Sequence, residues 1–510
     1  MTGLAGFLES NLADPVLATR GSVPVMANFA ASVAPSEAAR LEGIAAHLLA
    51  NEPTLSSTDV FGPGVEAGLG EGAALFIGDH REVALMRPQN AQVYEYRLSH
   101  LAADGDMLLI SGSRSAAFEH YREHGLGLGA IDALTVPAAG GDERTPLATR
   151  CLSDAKAFDR IAAKASGAGG LTILPYIGRG SAWVLAGALA ERSGAPVRVA
   201  GPPPRLTRRV NDKVWFSHRV TEVLGARAQP RFHSVYGPAA LAACVARLAQ
   251  DADRVAIKIP DSAGSAGNVC LDSDDIRPRA MPALSAYLHR VLGGIGWLGA
   301  YPLLVEVWDA PVLASPSIQI WIPTLADGPP VLEGMFEQIV AGRRAEFVGS
   351  LPASLPERWT PVIADEAFRL ARLFQLLGYF GRCSFDAVIA GRDYETAILH
   401  WIECNGRWGG VSIPMTLANR LTGNWAGRGL VVVQLSRLAL AARPFAQALD
   451  LVGERLYGAG RRGEGVILLS PLGIEQGTAI NLAAIAGTTE GAKTLAEAAV
   501  AALKTAPRPD

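Results

Sequence analysis

No CxxC or CxxH pair occurs anywhere in this chain. Its five cysteines (Cys151, Cys244, Cys270, Cys383, Cys404) lie far apart, mostly in apolar runs. A zinc site and a disulfide framework are therefore not expected. No G-x-x-x-x-G-K-[ST] stretch exists, which excludes a P-loop nucleotide site. The glycine clusters GPGVEAGLGEG (62–72) and GLGLG (125–129) do not match G-x-G-x-x-G, so they read as loops and not as a dinucleotide fingerprint. The net charge is only −3, which gives no reason to expect nucleic acid or an anionic membrane as partner. Apolar runs such as SAWVLAGALA are too short to span a bilayer. The opening MTGLAGFLESNLADP carries Glu9 and Asp14 and lacks a basic leader, so a cytoplasmic protein is the expectation.

What is present is a globular composition, 49% apolar and 19% charged over 510 residues, too long for one ordinary core. The first two hundred residues alternate strand-like and helix-like pieces. VPVMANFA (23–30), AALFIGD (73–79), REVALMRP (81–88), MLLISGS (107–113) and LTILPYI (171–177) read as strands, and VRVAGPPP (197–204) closes the series. SEAARLEGIAAHLL, with Ser36 as N-cap, QNAQVYEYRLSHLAA, SAAFEHYREHG and SAWVLAGALAERSG read as helices. Buried strands alternating with helices predict a parallel sheet covered on both faces.

After PPPR the pattern changes to an α+β region rich in antiparallel pairing. A helix NDKVWFSHRVTEVLG (211–225) is followed by strands at 254–260, 268–273, 303–309, 317–323, 334–342 and 344–350. A longer helix, 363–378, precedes CSFDAVIAG (383–391) and TAILHWIECN (396–405). The last part offers a helix VVVQLSRLALAA, a strand GVILLSP (465–471) and a final alanine-rich helix ending at Lys504.

Chemistry concentrates in a few places. Asp386 and Glu403 each sit on an apolar strand, and pairing of those strands as a hairpin brings Asp386, Glu403 and Asn405 together. Two carboxylates and an amide oxygen suit Mg²⁺, and without a cation the like charges would repel. Lys258 lies within an apolar strand, followed by the small-residue loop DSAGSAG (261–267), whose backbone N–H groups and serine hydroxyls suit phosphate oxygens. Glu306 ends an apolar strand ahead of two bulky apolar residues, which suits an adenine edge, and Asp309 is in reach of a ribose. Cys404, between Glu403 and Asn405, should face the core. His218, His233 and His400 are scattered without triad or metal spacing and read as surface or core residues. Gly409-Gly410 leads into a helix whose N-terminus is equally a simple turn or a carboxylate seat.

In this order, the segment from about 205 to 425 resembles an ATP-grasp domain. The region before it, with LTILPYI, VRVAGPPPRLTRRVNDK and ATRCLSDAKAFDRI, is similar to the pre-ATP-grasp domain of the pheganomycin-type peptide ligases. The resemblance implies three parts: a pre-ATP-grasp α/β domain (1–205), an ATP-grasp domain (206–425) and a C-terminal α/β segment (426–510) packed on it. It implies that Lys213 and Lys258 contact the α- and β-phosphates of ATP. Ser262, Gly264, Ser265 and Gly267 would close over the γ-phosphate, and Glu306, Val307 and Asp309 would hold the nucleoside. Asp386, Glu403 and Asn405 would bind two Mg²⁺ ions, with Mn²⁺ as an alternative, and Arg407, with Lys258, would face the transferred phosphate. The implied activity is ADP-forming ligation of a carboxylate to an amine through an acyl phosphate. A carrier protein or a homodimer is compatible with it. Acid–thiol ligation, carboxylation and non-catalytic nucleotide binding are the alternatives. One departure is Ser384, where many relatives carry an arginine two residues before the metal-binding Asp. Arg382, on the same strand face, is the substitute to examine.

Overall fold

The computed structural model describes residues 33–86, 88–262, 266–342, 345–460 and 463–505. The strand expected at 23–30 lies outside them. Six parallel strands form the first sheet: β1 (Val65–Ala67), β2 (Ala73–Ile77), β3 (Met107–Ile110), β4 (Asp132–Thr135), β5 (Leu171–Pro175) and β6 (Val197–Val199), in the order β1-β6-β5-β2-β3-β4. Alternation sorts their side chains into two cores. Leu75, Ile77 and Leu109 pack with the helices Ala155–Gly167 and Gly180–Ser193, whereas Ala74, Phe76, Leu108 and Ile110 enter a core on the other face.

The second sheet is antiparallel: β7 (Phe232–Val235), β8 (Arg254–Lys258), β9 (Asn268–Asp272) and β10 (Leu303–Val307), ordered β7-β10-β8-β9. Val255 and Ile257 of β8, and Leu303 and Val305 of β10, pack against the helices Pro238–Asp251 and Met281–Gly294. The period of two then puts Lys258 and Glu306 together on the opposite face.

The third sheet has nine strands: β11 (Val312–Ala314), β12 (Pro316–Ile322), β13 (Val331–Ala341), β14 (Glu346–Pro352), β15 (Gly381–Ala390), β16 (Ile398–Asn405), β17 (Gly429–Leu435), β18 (Gly465–Leu468) and β19 (Ile480–Ala486). β17 pairs with β14, so the C-terminal segment extends this sheet instead of forming a separate one. Its residues Val466, Ile467, Leu482 and Ile485 share a core with Phe76, Leu108 and Phe118 of the first domain.

Several expectations are corrected. VVVQL is β17, not the start of a helix, because three consecutive β-branched valines pair on both sides with β14 and β19. INLAAIA, unassigned from sequence, is β19. REVALMRP is a turn over its described residues. Arg81 there is tied to Asp79 and Glu95, and Leu85 takes a positive φ of 64°. The helix expected from Ser36 begins at Pro35, with Ala34 as N-cap, because proline's fixed φ suits the first helical position.

Candidate active site

The site forms where β15, β16, the face of β8 and β10 carrying Lys258, and the start of the helix Lys213–Leu224 converge. β15 and β16 are the anticipated hairpin, with Asp386 opposite Glu403 and Ser384 opposite Asn405. A bulge decides which way Glu403 points. Leu399 and Trp401 face the core; Ile402 is the extra residue, so the alternation resets and Cys404 returns to the core while Glu403 and Asn405 take the other face. Cys404 is buried, as expected.

Asp386 accepts from Ser317 Oγ at 2.6 Å and from Asn405 Nδ2 at 2.9 Å. Burial, and then the neighbouring Glu403 charge, raises its pKa to about 7. Burial pushes Glu403 the same way, but Lys213, Lys258 and Arg407 outweigh it and hold that carboxyl below its ordinary value. Lys213 Nζ lies 2.9 Å from Glu403 Oε2 and donates to the Ser262 carbonyl at 2.9 Å. Asp212 caps this helix by accepting from the Val214 and Trp215 amides at 2.8 and 3.2 Å, which fixes where Lys213 emerges.

Lys258 Nζ meets Glu306 Oε1 at 2.5 Å, both side chains almost fully buried. The Glu306 carboxylate thus faces Lys258. The Val307 amide donates to the Arg231 carbonyl at 3.0 Å. Asp309 Oδ2 is 2.9 Å from Nδ1 of His400, a histidine expected only as a surface or core residue. Ser262 is buried, its hydroxyl donating to the Ile259 carbonyl at 3.0 Å, and the Gly267 carbonyl accepts from the Ile259 amide at 2.9 Å. Gly264 and Ser265 lie outside the described residues.

Arg407 donates to Asn211 Oδ1 and Asn405 Oδ1. Although burial opposes its charge, Tyr176 and Glu403 stabilise it and raise its pKa. Asn211 also bonds the backbone of Gly406 in both directions, at 3.1 and 3.3 Å, so it sets the Arg407 turn. Asn211 directly precedes Asp212-Lys213, the one sequence cue that could have found it. Tyr176 comes from the first domain and had no such cue. Arg382 does not reach the metal-type donors. It is buried in an ion pair with Glu333 at 2.5 Å, and its guanidinium lies 4.6 Å from the Trp408 ring centre. The Gly409 amide donates to Ser412 Oγ at 2.8 Å, and the Gly410 carbonyl accepts from Arg97.

Among the described residues no three His, Cys, Asp or Glu side chains gather into a metal cluster. The donor set of Asp386, Glu403 and Asn405 is two carboxylates and an amide. It nevertheless fits a hard divalent cation: Asp386 is half-buried, repelled by Glu403 and lacks an ion-pair partner among the described residues.

Residues 95–191 match the family model described as the Pre ATP-grasp domain. No curated protein sequence matches the chain significantly. Among solved structures, the chain is similar to biotin carboxylase from Campylobacter jejuni, at 12% identity and a TM-score of 0.53, covering 85% of this chain and 91% of that one. It is similar to the biotin carboxylase domain of 2-oxoglutarate carboxylase from Hydrogenobacter thermophilus, solved with MgADP and bicarbonate, at 13% identity and 0.53, covering 85% and 90%. It is also similar to N5-carboxyaminoimidazole ribonucleotide synthetase in its ADP complex, at 12% identity and 0.50, covering 84% and 96%. At these identities the likeness concerns architecture: the chain has an N-terminal parallel-sheet pre-ATP-grasp domain followed by an ATP-grasp fold.

Proposed function

We propose that this protein is an ATP-dependent carboxylate–amine ligase of the peptide-forming kind, releasing ADP and phosphate. The observation that carries the reading is the face shared by Asp386, Glu403 and Asn405 with Lys213 and Arg407, and with Lys258 in electrostatic reach. Asp386, Glu403 and Asn405 would hold Mg²⁺, two ions in the full reading, with Mn²⁺ able to substitute. Bound there, the metal would neutralise phosphate charge and polarise the γ-phosphoryl group.

Lys213 and Lys258 supply positive charge for the α- and β-phosphates, and the 261–267 loop covers the γ-phosphate. An oxygen of the acid attacks the γ-phosphorus; the bond to the β,γ-bridging oxygen breaks and ADP departs with the electron pair. Arg407, held rigidly by Asn211 and Asn405, offsets charge on the transferred group. The amine nitrogen then attacks the acyl carbon, the bond to the phosphate oxygen breaks, and loss of the amine proton leaves the amide. No protein nucleophile is needed, so the work of the chain is positioning and electrostatics. Small carboxylates and amines, free or on a carrier protein, are the substrates of this reading, and self-association as a homodimer is compatible with it.

The test is ADP release across a panel of acids paired with amines, with bicarbonate and thiols as separate arms. ADP that requires an acid and an amine together supports the reading. ADP only with bicarbonate or a thiol replaces it by carboxylation or acid–thiol ligation, and ATP binding without ADP under any pair makes the protein a nucleotide binder.

A further inference from the structure

In the first sheet the winding reverses between neighbouring strands β2 and β5. The chain leaves β2 towards β3 and β4 on one side, and β5 towards β6 on the other. Diverging connections leave the carboxyl ends of such strands uncovered, and open parallel sheets seat ligands in that crevice. Here that edge of the sheet adjoins Arg407, which lines a small cleft with Pro175 and Tyr176. His80, just past β2, stacks on Tyr176, just past β5, with ring centres 3.6 Å apart, and lies 4.9 Å from Tyr94. Tyr176 lies against Arg407. Arg97 comes from the short helix Glu95–Leu101 and places its guanidinium 5.5 Å from the Tyr94 ring centre. It donates to Gln434 Oε1 at 2.8 Å and to the Gly410 carbonyl at 3.1 Å.

Arg97 is 4% exposed, yet among the described residues it has no carboxylate partner, and its Nε is buried without an acceptor. Other buried arginines nearby are compensated. Arg81 pairs with Asp79 and Glu95, Arg382 with Glu333, and Arg122 spends its nitrogens on backbone carbonyls. Burying a cation without a counter-ion is costly, and that cost persists where an anion is to be received. The surroundings are positive: burial, with the charges of Arg97, Arg407 and Arg81 added, holds His80 neutral with a pKa of about 3.

We propose that Arg97, together with Arg407, seats a carboxylate of the acid substrate in this crevice, so that the first domain selects the acid. The inference rests on the carboxylate-activating reading above but is measured separately from it. The probe is malonate, titrated into the full-length protein without nucleotide, against chloride at matched ionic strength. Wild type binds malonate and melts higher in its presence. Arg97→Gln binds it at least tenfold more weakly, Arg97→Lys recovers part of the affinity, and all three proteins bind MgADP alike.

Without malonate, Arg97→Gln melts at or above the wild-type temperature, because an uncompensated buried charge is gone; a purely structural Arg97 would lower it. Unchanged malonate affinity in Arg97→Gln, or none in wild type, overturns the proposal. Inorganic phosphate bound more tightly than malonate through Arg97 also overturns it, in favour of a phosphate-bearing substrate. Malonate binding that depends on Arg97 supports the site whatever MgADP does, whereas absent MgADP binding counts against the ligase reading alone.

Discussion

Glu403 is the residue on which the site converges, since Lys213, Lys258 and Arg407 all act on its carboxylate. Glu403→Gln keeps the shape and an acceptor for Lys213 but removes the charge. ADP formation should fall by on the order of 10³-fold, because charge stabilisation at a metal-assisted phosphoryl transfer contributes several kcal/mol. The melting temperature should stay within a few degrees; retained turnover would remove Glu403 from the metal assignment. A second residue-scale prediction concerns Glu333, whose pKa burial raises to about 7 despite Arg382. The folded state holds this proton more tightly than the unfolded chain, where the value is 4.5. Its contribution to stability is therefore complete below about 4.5 and is lost as pH rises through about 7. Wild type should lose more melting temperature than Glu333→Gln between pH 5 and pH 8; parallel profiles would contradict this.

At the scale of elements, the 261–267 loop depends on close approach. A Cβ added to Gly267 would lie 2.2 Å from Ser262 Oγ, so Gly267→Ala must displace Ser262, whose carbonyl holds Lys213. We expect a stability loss of about 1–3 kcal/mol by denaturant unfolding, the usual cost of overpacking. Nucleotide affinity should weaken as well, and adding Ser262→Gly should restore part of both. If Gly267→Ala alone left nucleotide affinity unchanged, the loop would not be what places Lys213.

Elements also show what the sequence made legible. β2, β5, β8, β15 and β16 are readable because runs of apolar residues announce buried strands, and the hairpin that brings Asp386 opposite Glu403 follows from them. The Ile402 bulge was not readable, since it depends on pairing with β15, nor was β17, whose valines declare a strand only once β14 and β19 flank it. Tyr176, His80 and Arg97 carry no local signal because their role comes from a domain packed against the site.

Across the whole molecule, one core joins the first domain, the helix Ser412–Thr422 and the C-terminal strands. Calorimetry should therefore show the first domain and the C-terminal segment unfolding together. Removal of residues 429–505 should leave insoluble protein, since it strips β14 of a partner and uncovers Phe76, Leu108 and Phe118. A soluble truncated chain that melts cooperatively would show that the core is dispensable. The central claim, that ATP activates a carboxylate, is tested most directly with an acid labelled by ¹⁸O in its carboxylate and paired with the amine that elicits ADP. The account predicts one ¹⁸O atom transferred to each phosphate released. Phosphate free of label, with ADP still forming, would contradict it.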